Sequence, residues 1–219
     1  MPREGRPAGS EVLPYAQGAL AGLGRRLSTS FLAAVIGRLM QLAMTVLLAR
    51  QLGTTGYGAF AFALGVATIS AQVGSLGWPA LAMRSLPRLM VEHEFGLLRG
   101  FLRMGVLAVA AGGLAVAFGL WWASRVISQS ETAAGLELAA ILVLPMAMRL
   151  LRRGELAGLH RPASGLVFDE VFAPAVVVAA ALVVQLGNAG DVAMVYAAGR
   201  FVGIAIASVV VSRVIARET

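Results

Sequence analysis

Two arginines fall inside long apolar stretches of this sequence, and they are its clearest candidates for chemistry. Arg38 lies about nine residues into one stretch and Arg200 about nine residues into another. In a membrane helix, which rises about 1.5 Å per residue, each would sit roughly 13 Å below the surface. Because a central arginine costs about 2.5 to 3.5 kcal/mol in lipid, such a side chain usually faces protein or a water-filled cavity.

Polar residues near these arginines recur at helical spacing and form one stripe on each helix. Spacings of three, four and seven residues place side chains on one helix face. We therefore expect the stripes to line one hydrated cavity, whose arginines attract an anionic headgroup and whose other polar side chains donate hydrogen bonds. The alternatives are an internal ion pair or hydrogen bonds between helices. The stripes are Arg38, Gln41 and Thr45; Thr68, Gln72 and Ser75; and Tyr196 with Arg200.

Two adjacent carboxylates, Asp169 and Glu170, stand at the predicted inner end of the fifth apolar stretch. They are candidates for a proton or cation site. The alternative is a salt bridge at the membrane edge, since Arg153 and Arg161 are predicted to lie at the same end.

Most familiar kinds of catalytic and metal chemistry are missing. The absence of cysteine excludes disulfides, iron–sulfur clusters and thiolate metal sites. We find no phosphate-binding loop, dinucleotide fingerprint, zinc-protease motif or hydrolase elbow. His93, between two glutamates, and His160, beside Arg161, fit solvated or headgroup contacts better than metal ligation. We therefore expect no metal site, no cofactor and no enzymatic activity.

The elements that must position these residues are membrane helices. Hydrophobic residues fill 58% of the 219 positions, and the mean hydropathy is +0.81. Apolar runs are too long and too frequent for one soluble core, so lipid must be the main solvent. The net charge of +7 comes from arginines clustered between these runs, which indicates membrane topology rather than nucleic-acid binding.

We predict an all-α, polytopic membrane protein with six transmembrane helices, each of about 20 mainly apolar residues. Residues 1–27 are assigned to a cytoplasmic tail, 28–215 to the six-helix lobe, and 216–219 to a cytoplasmic end. The predicted spans run approximately from Thr29 to Gln51, Tyr57 to Trp78, Arg103 to Ile127, Ala133 to Arg149, Val167 to Leu186 and Val192 to Ile215.

Glycine and proline mark the predicted boundaries. Gly53 is expected to close the first span and Pro79 to stop the second. A short helix from Leu81 to Val91 is expected to lie at the membrane interface. Glu137 and Pro145 interrupt the short apolar stretch of the predicted fourth span. Three pairs of glycines have the spacing that is typical of close helix contacts. Because the chain has 26 glycines, chance matches are common, and we assign none of these pairs a packing role. They are Gly18 with Gly22, Gly96 with Gly100, and Gly154 with Gly158.

The arginines give the predicted topology. All 18 basic residues are arginines, which is typical of a GC-rich bacterial genome. Connectors on one side hold only Arg50 and Arg125, whereas those on the other side hold fourteen arginines. The positive-inside rule then places both termini in the cytoplasm, with the chain in a bacterial inner membrane.

Several runs carry a family resemblance. The first predicted hairpin contains LLARQLG at 47–53 and GYGAF at 56–60, followed by GSLG at 74–77 and ALAMR at 80–84. Two later segments also carry the resemblance: Arg153-Gly154 and the residues from Phe168 to Pro174. Together these runs resemble bacterial polysaccharide flippases, which belong to the multidrug, oligosaccharidyl-lipid and polysaccharide exporter superfamily. The resemblance covers roughly residues 28–215.

The resemblance implies translocation of a polyprenyl-diphosphate-linked oligosaccharide for cell-surface polysaccharide assembly, such as lipopolysaccharide. The resemblance also implies that translocation is often coupled to an ion gradient. Asp169 and Glu170 are the candidates for that coupling. Members are built from two six-helix lobes that face a central cavity, and this chain is expected to supply the N-terminal lobe and to pair with a second one. The alternatives are a related exporter of another substrate, such as a drug or the peptidoglycan lipid precursor, and a truncated remnant or scaffold without transport.

Overall fold

The computed structural model describes residues 12–159, 171–183 and 186–218, with side chains within 31–213. Every regular element among these residues is an α-helix, which confirms the predicted all-α class. Four helices, α1, α3, α4 and α6, are long and apolar enough to cross a membrane. The helices are α1 (Val12–Gly74), α2 (Trp78–Val91), α3 (Phe95–Val126), α4 (Ser130–Gly158), α5 (Phe172–Val183) and α6 (Ala189–Glu218).

Helix α1 folds back on itself at Gly53. The backbone there leaves the helical region, with φ 70° and ψ −177°, a conformation that glycine adopts without strain. Arg38 and Thr68, equally far before and after Gly53, line the same cavity. Because a straight helix would separate them by about 45 Å, the two halves must lie side by side. The predicted turn between the first two spans is therefore confirmed at Gly53.

The turn at Gly53 shares one end of the bundle with the ends of four other helices. Gln51 donates a hydrogen bond from Nε2 to the Ala181 carbonyl near the end of α5, at 2.7 Å. Near the start of α4, Gly135 packs against the ring of Phe62, and Leu138 lies against Gly190 of α6. We call this the hairpin end, defined by Gly53, Ser130 and Ala189. The opposite end, where α2 lies, is the arginine-rich end.

Helix α2 packs on the C-terminal part of α4 through glycine. A Cβ added at Gly154 would lie 2.6 Å from the Pro79 carbonyl oxygen, and one at Gly158 would lie 2.8 Å from that of Ala82. The Gly154 and Gly158 pair, which we had treated as a chance match, is therefore a packing surface. Gly96 and Gly100 have open space around them.

The prediction that Pro79 stops the second span is wrong. Pro79 lies in the first turn of α2, where its missing N–H needs no partner, and α1 ends earlier, at Gly74. The break between α1 and α2 is made by Leu76 and Gly77, with φ of 51° and 71°. Pro145 lies buried within α4 and does not end it.

The described helices extend most predicted spans. Helix α3 begins at Phe95 and not near Arg103, and α4 continues to Gly158 and not only to Arg149. Helix α5 spans twelve described residues of the predicted fifth span, part of which lies outside the described residues. Helix α1 is already helical at Val12, within the segment assigned to the tail.

The core is built from small residues as well as large ones. Ala63, Ala67 and Ala71 form a fully buried row on α1, in the same cluster as Ala139 and Val143 of α4. In lipid, where apolar surface gains nothing by leaving solvent, close packing of small residues holds helices together. Large apolar side chains instead cover the outside, which suits a lipid-facing surface. Examples are Phe31, Leu39, Leu107, Leu114 and Phe118.

The close crossing of α1 and α3 gives a test of this packing. An alanine Cβ at Gly112 would clash with the Gly74 carbonyl oxygen, whereas Gly119, on the same helix, has open space. We expect Gly112→Ala to lower the free energy of unfolding in detergent by about 1 to 3 kcal/mol. Gly119→Ala should raise it by about 0.5 to 1 kcal/mol, since alanine favours helix. Equal effects of the two changes in thermal or denaturant unfolding would contradict the crossing.

Candidate functional site

A cavity of about 330 Å³ lies within the bundle, and four of its described lining residues are arginines. Helices α1, α4, α5 and α6 all contribute to it. None of the lining residues that the structure describes is acidic. The lining consists of Arg38, Gln41, Leu64, Thr68, Met146, Arg149, Arg153, Pro174, Tyr196 and Arg200.

Helix α6 supplies a buried part of the cavity. Arg200 is only 6% exposed and Tyr196 only 3%. One turn apart, they interact twice: the Arg200 guanidinium donates a 2.5 Å hydrogen bond to the Tyr196 hydroxyl and lies 4.9 Å from the centre of its ring. The ring of Phe60 packs edge-on against Tyr196 from α1. Arg200 is therefore held by tyrosine and placed by packing from a second helix.

Helix α1 supplies the open side. Arg38, Gln41 and Thr68 are exposed, and the reversal at Gly53 brings them together from the two halves of the helix. Thr68 donates its hydroxyl proton to the Leu64 carbonyl at 2.7 Å, which leaves its oxygen able to accept a hydrogen bond. The cavity is therefore closed by α6 and open across α1.

Helix α4 supplies two arginines that the sequence analysis did not place in the site. The apolar pattern predicts that the fourth span ends at Arg149, which places Arg149 and Arg153 in a connector. The helix runs on to Gly158, so Met146, Arg149 and Arg153 continue one face at i, i+3 and i+7. This spacing is present in the sequence, but it places both arginines on the cavity face only because the helix continues past Arg149.

The cavity extends from the middle of the bundle towards the arginine-rich end. Counted from the hairpin end, Arg200 is roughly 17 Å along α6 and Arg38 roughly 22 Å along α1. On α4, Arg149 and Arg153 are roughly 29 and 35 Å from that end. With the hairpin end at one surface of a hydrocarbon core about 30 Å thick, the four guanidinium groups would extend from the middle of that core to its far edge.

Gln72 does not line this cavity. The expectation that all residues of the three polar stripes line one cavity is therefore wrong at this residue. The halves of α1 run in opposite directions from Gly53, so only residues at equal distances from it face each other. Thr45 is too close to Gly53, and Gln72 lies one turn beyond Thr68. Ser75 is buried and donates its hydroxyl proton to the Gln72 carbonyl.

The predicted ion-coupling pair, Asp169 and Glu170, lies outside the described residues, as do His160 and Arg161. Within the described part of the chain, no group of three or more histidine or acidic side chains could hold a metal ion.

No protein-family model, curated protein or solved structure matches this chain. The site must therefore be interpreted from its own geometry. Several guanidinium groups converge on one space, and each offers planar donors that pair bidentately with phosphate or carboxylate oxygens. Gln41, Thr68 and Tyr196 add neutral hydrogen-bonding groups. The arrangement is suited to binding an anion that also carries hydroxyl groups.

The cavity's charge and hydration can be tested with single cysteines, because the chain has none of its own. Gln41→Cys should react with a negatively charged thiol reagent on the order of tenfold faster than with a positively charged one of the same size. Adding Arg38→Gln should reduce that preference. The matched control is Leu42→Cys, next on the helix and 60% exposed, which should face lipid and react slowly with both reagents. Equal reactivity at Gln41 and Leu42, measured in membranes, would contradict a hydrated cavity.

Proposed function

We propose that this chain forms one lobe of a flippase that moves a polyprenyl-diphosphate-linked oligosaccharide across a bacterial inner membrane for cell-surface polysaccharide assembly. The observation that carries the proposal is the cavity lined by Arg38, Arg149, Arg153 and Arg200 inside an apolar helical bundle. The resemblance of residues 28–215 to polysaccharide flippases supports the same assignment.

A diphosphate headgroup fits the charge and layout of the cavity. Its two phosphates carry several negative charges close together, and each can pair with a guanidinium group bidentately. In the proposed orientation Arg153 and Arg149 stand at the membrane edge, with Arg38 and Arg200 deeper. A headgroup captured at the edge would therefore meet further arginines as it moved towards the bilayer centre. Gln41, Thr68 and Tyr196 are placed to contact the phosphates or the first sugars.

The open side of the cavity supports a two-lobed transporter. Arg38 is exposed although it lies within the hydrocarbon depth. Exposure to acyl chains would cost about 2.5 to 3.5 kcal/mol, and water held between two lobes removes that cost. In this proposal a second six-helix lobe faces α1 across the cavity, and the polyprenyl chain stays in lipid at the gap between the lobes.

The orientation and coupling follow from the same proposal. The arginine-rich end lies in the cytoplasm, where the lipid-linked sugar is assembled, and both termini lie on that side. Asp169 and Glu170 remain the candidates for coupling to an ion gradient.

A second substrate of the same chemistry is the peptidoglycan lipid precursor, which shares the polyprenyl diphosphate and differs in the sugar. The four arginines favour both of these anions over cationic drugs. Comparing diphosphates with and without the precursor's sugar and peptide would distinguish the two.

The test is binding of a short-chain polyprenyl diphosphate to the purified chain in detergent or nanodiscs. Losing a charged hydrogen-bonding group should weaken binding about 10- to 100-fold for Arg38→Gln or Arg200→Gln. Arg200→Lys should lose less, because it keeps the charge but not the bidentate geometry.

The matched control is Arg50→Gln, an exposed arginine on the same helix at the hairpin end, which should bind like the wild type. A polyprenyl monophosphate should bind more weakly than the diphosphate. Wild-type affinity in folded Arg38→Gln and Arg200→Gln variants would overturn the headgroup site, and with it this function.

A further inference from the structure

A second arginine-lined groove lies between α3 and α6, away from the cavity. It has a volume of about 590 Å³, and Arg152 of α4 forms part of its floor. Its remaining lining combines two more arginines, two serines and four apolar side chains. These are Arg99, Arg103, Ser208, Ser212, Leu102, Val106, Leu107 and Val211.

The groove is charged at headgroup depth and apolar further in. Arg103 is roughly 35 Å from the hairpin end of α3, and Arg152 is roughly 33 Å from that of α4. Both therefore lie just beyond a hydrocarbon core about 30 Å thick, with Arg99 one turn further out. Val106 and Leu107 lie closer to the bilayer centre. A phospholipid has the same order of polar and apolar groups.

Arg152 is fixed by the protein itself. It donates a 2.6 Å hydrogen bond from Nη1 to Oε2 of Glu155, which is fully buried, and its own side chain is only 16% exposed. Its charge is therefore largely balanced from within the bundle. The attraction for an outside anion must come mainly from Arg99 and Arg103.

Arg99 and Arg103 form a like-charged pair. They are exposed, four residues apart on one face of α3, a spacing at which equal charges destabilise a helix. No acidic side chain lines the groove within the described ranges. An anion seated between the two guanidinium groups would remove their repulsion.

The serine hydroxyl protons are donated within α6. Ser208 already donates its proton to the Ile204 carbonyl at 2.7 Å, and Ser212 donates to that of Val209 at 2.9 Å. Their oxygens can still accept hydrogen bonds, for which a headgroup with free hydroxyls is suited.

We propose that this groove binds an anionic phospholipid with a hydroxyl-bearing headgroup, of which phosphatidylglycerol is the simplest. The phosphate lies between Arg99 and Arg103, a headgroup hydroxyl faces Ser212, and one acyl chain follows Val106 and Leu107. Basic pockets between membrane helices commonly bind such lipids. The proposal does not depend on the transport function, because it shares no residue with the cavity.

The test measures lipid binding to the full-length chain by native mass spectrometry and by thermal stabilisation in detergent. Phosphatidylglycerol should bind and stabilise the chain, whereas phosphatidylcholine with the same acyl chains and inorganic phosphate should not. The double variant Arg99→Gln/Arg103→Gln should weaken phosphatidylglycerol binding on the order of 10- to 30-fold.

The control is Arg84→Gln/Arg88→Gln, which removes an equally spaced, exposed pair from α2 and should retain the lipid. Equal losses in both double variants would show general charge attraction and overturn the site. Stabilisation by phosphate alone or equally by phosphatidylcholine would also overturn it. So would a change in oligomeric state with no change in lipid binding, since the groove would then be an interface between copies.

Discussion

A guanidinium group is costly to place in hydrocarbon, and this bundle holds Arg38 and Arg200 at that depth. Arg200, roughly 17 Å from the hairpin end, is too deep to reach the membrane surface easily, so the protein must provide water or polar partners around it. Arg200 has Tyr196 beside it and is closed off by packing from α1. Arg38 lies on the open side of the same cavity. Much of the architecture serves to bring these two charges to one sheltered space.

Three features of the fold make that shelter possible. The reversal at Gly53 places Arg38 beside Thr68, which a straight α1 would hold far apart. The buried alanine row on α1 allows close packing against α4. The continuation of α4 to Gly158 carries Arg149 and Arg153 along the cavity wall and provides the two glycines on which α2 packs. Each feature depends on a small residue or on helix length rather than on a strong individual contact.

Much of this arrangement was predictable from local patterns. Spacing along each helix identified Arg38, Gln41, Tyr196 and Arg200, and all four line one cavity, because a side chain's face depends only on helical periodicity. Their role in binding a substrate stays a prediction. Sequence could not show that Gln72 lies outside the cavity, because that depends on how far each residue is from Gly53 along antiparallel halves. It also could not set the end of α4, where tertiary packing continues the helix past the apolar stretch.

The most direct test of a hydrated arginine cavity is whether a spin label on α1 contacts water or lipid. The label is placed at Thr68→Cys and at its neighbour Ile69→Cys. Thr68 lines the cavity, whereas Ile69 is 71% exposed among apolar side chains. In lipid vesicles, a label at position 68 should collide more often with a water-soluble nickel complex than with oxygen, and a label at 69 should show the reverse. A preference for oxygen at both positions would mean that Arg38 faces acyl chains, and the account of a hydrated arginine cavity would be wrong.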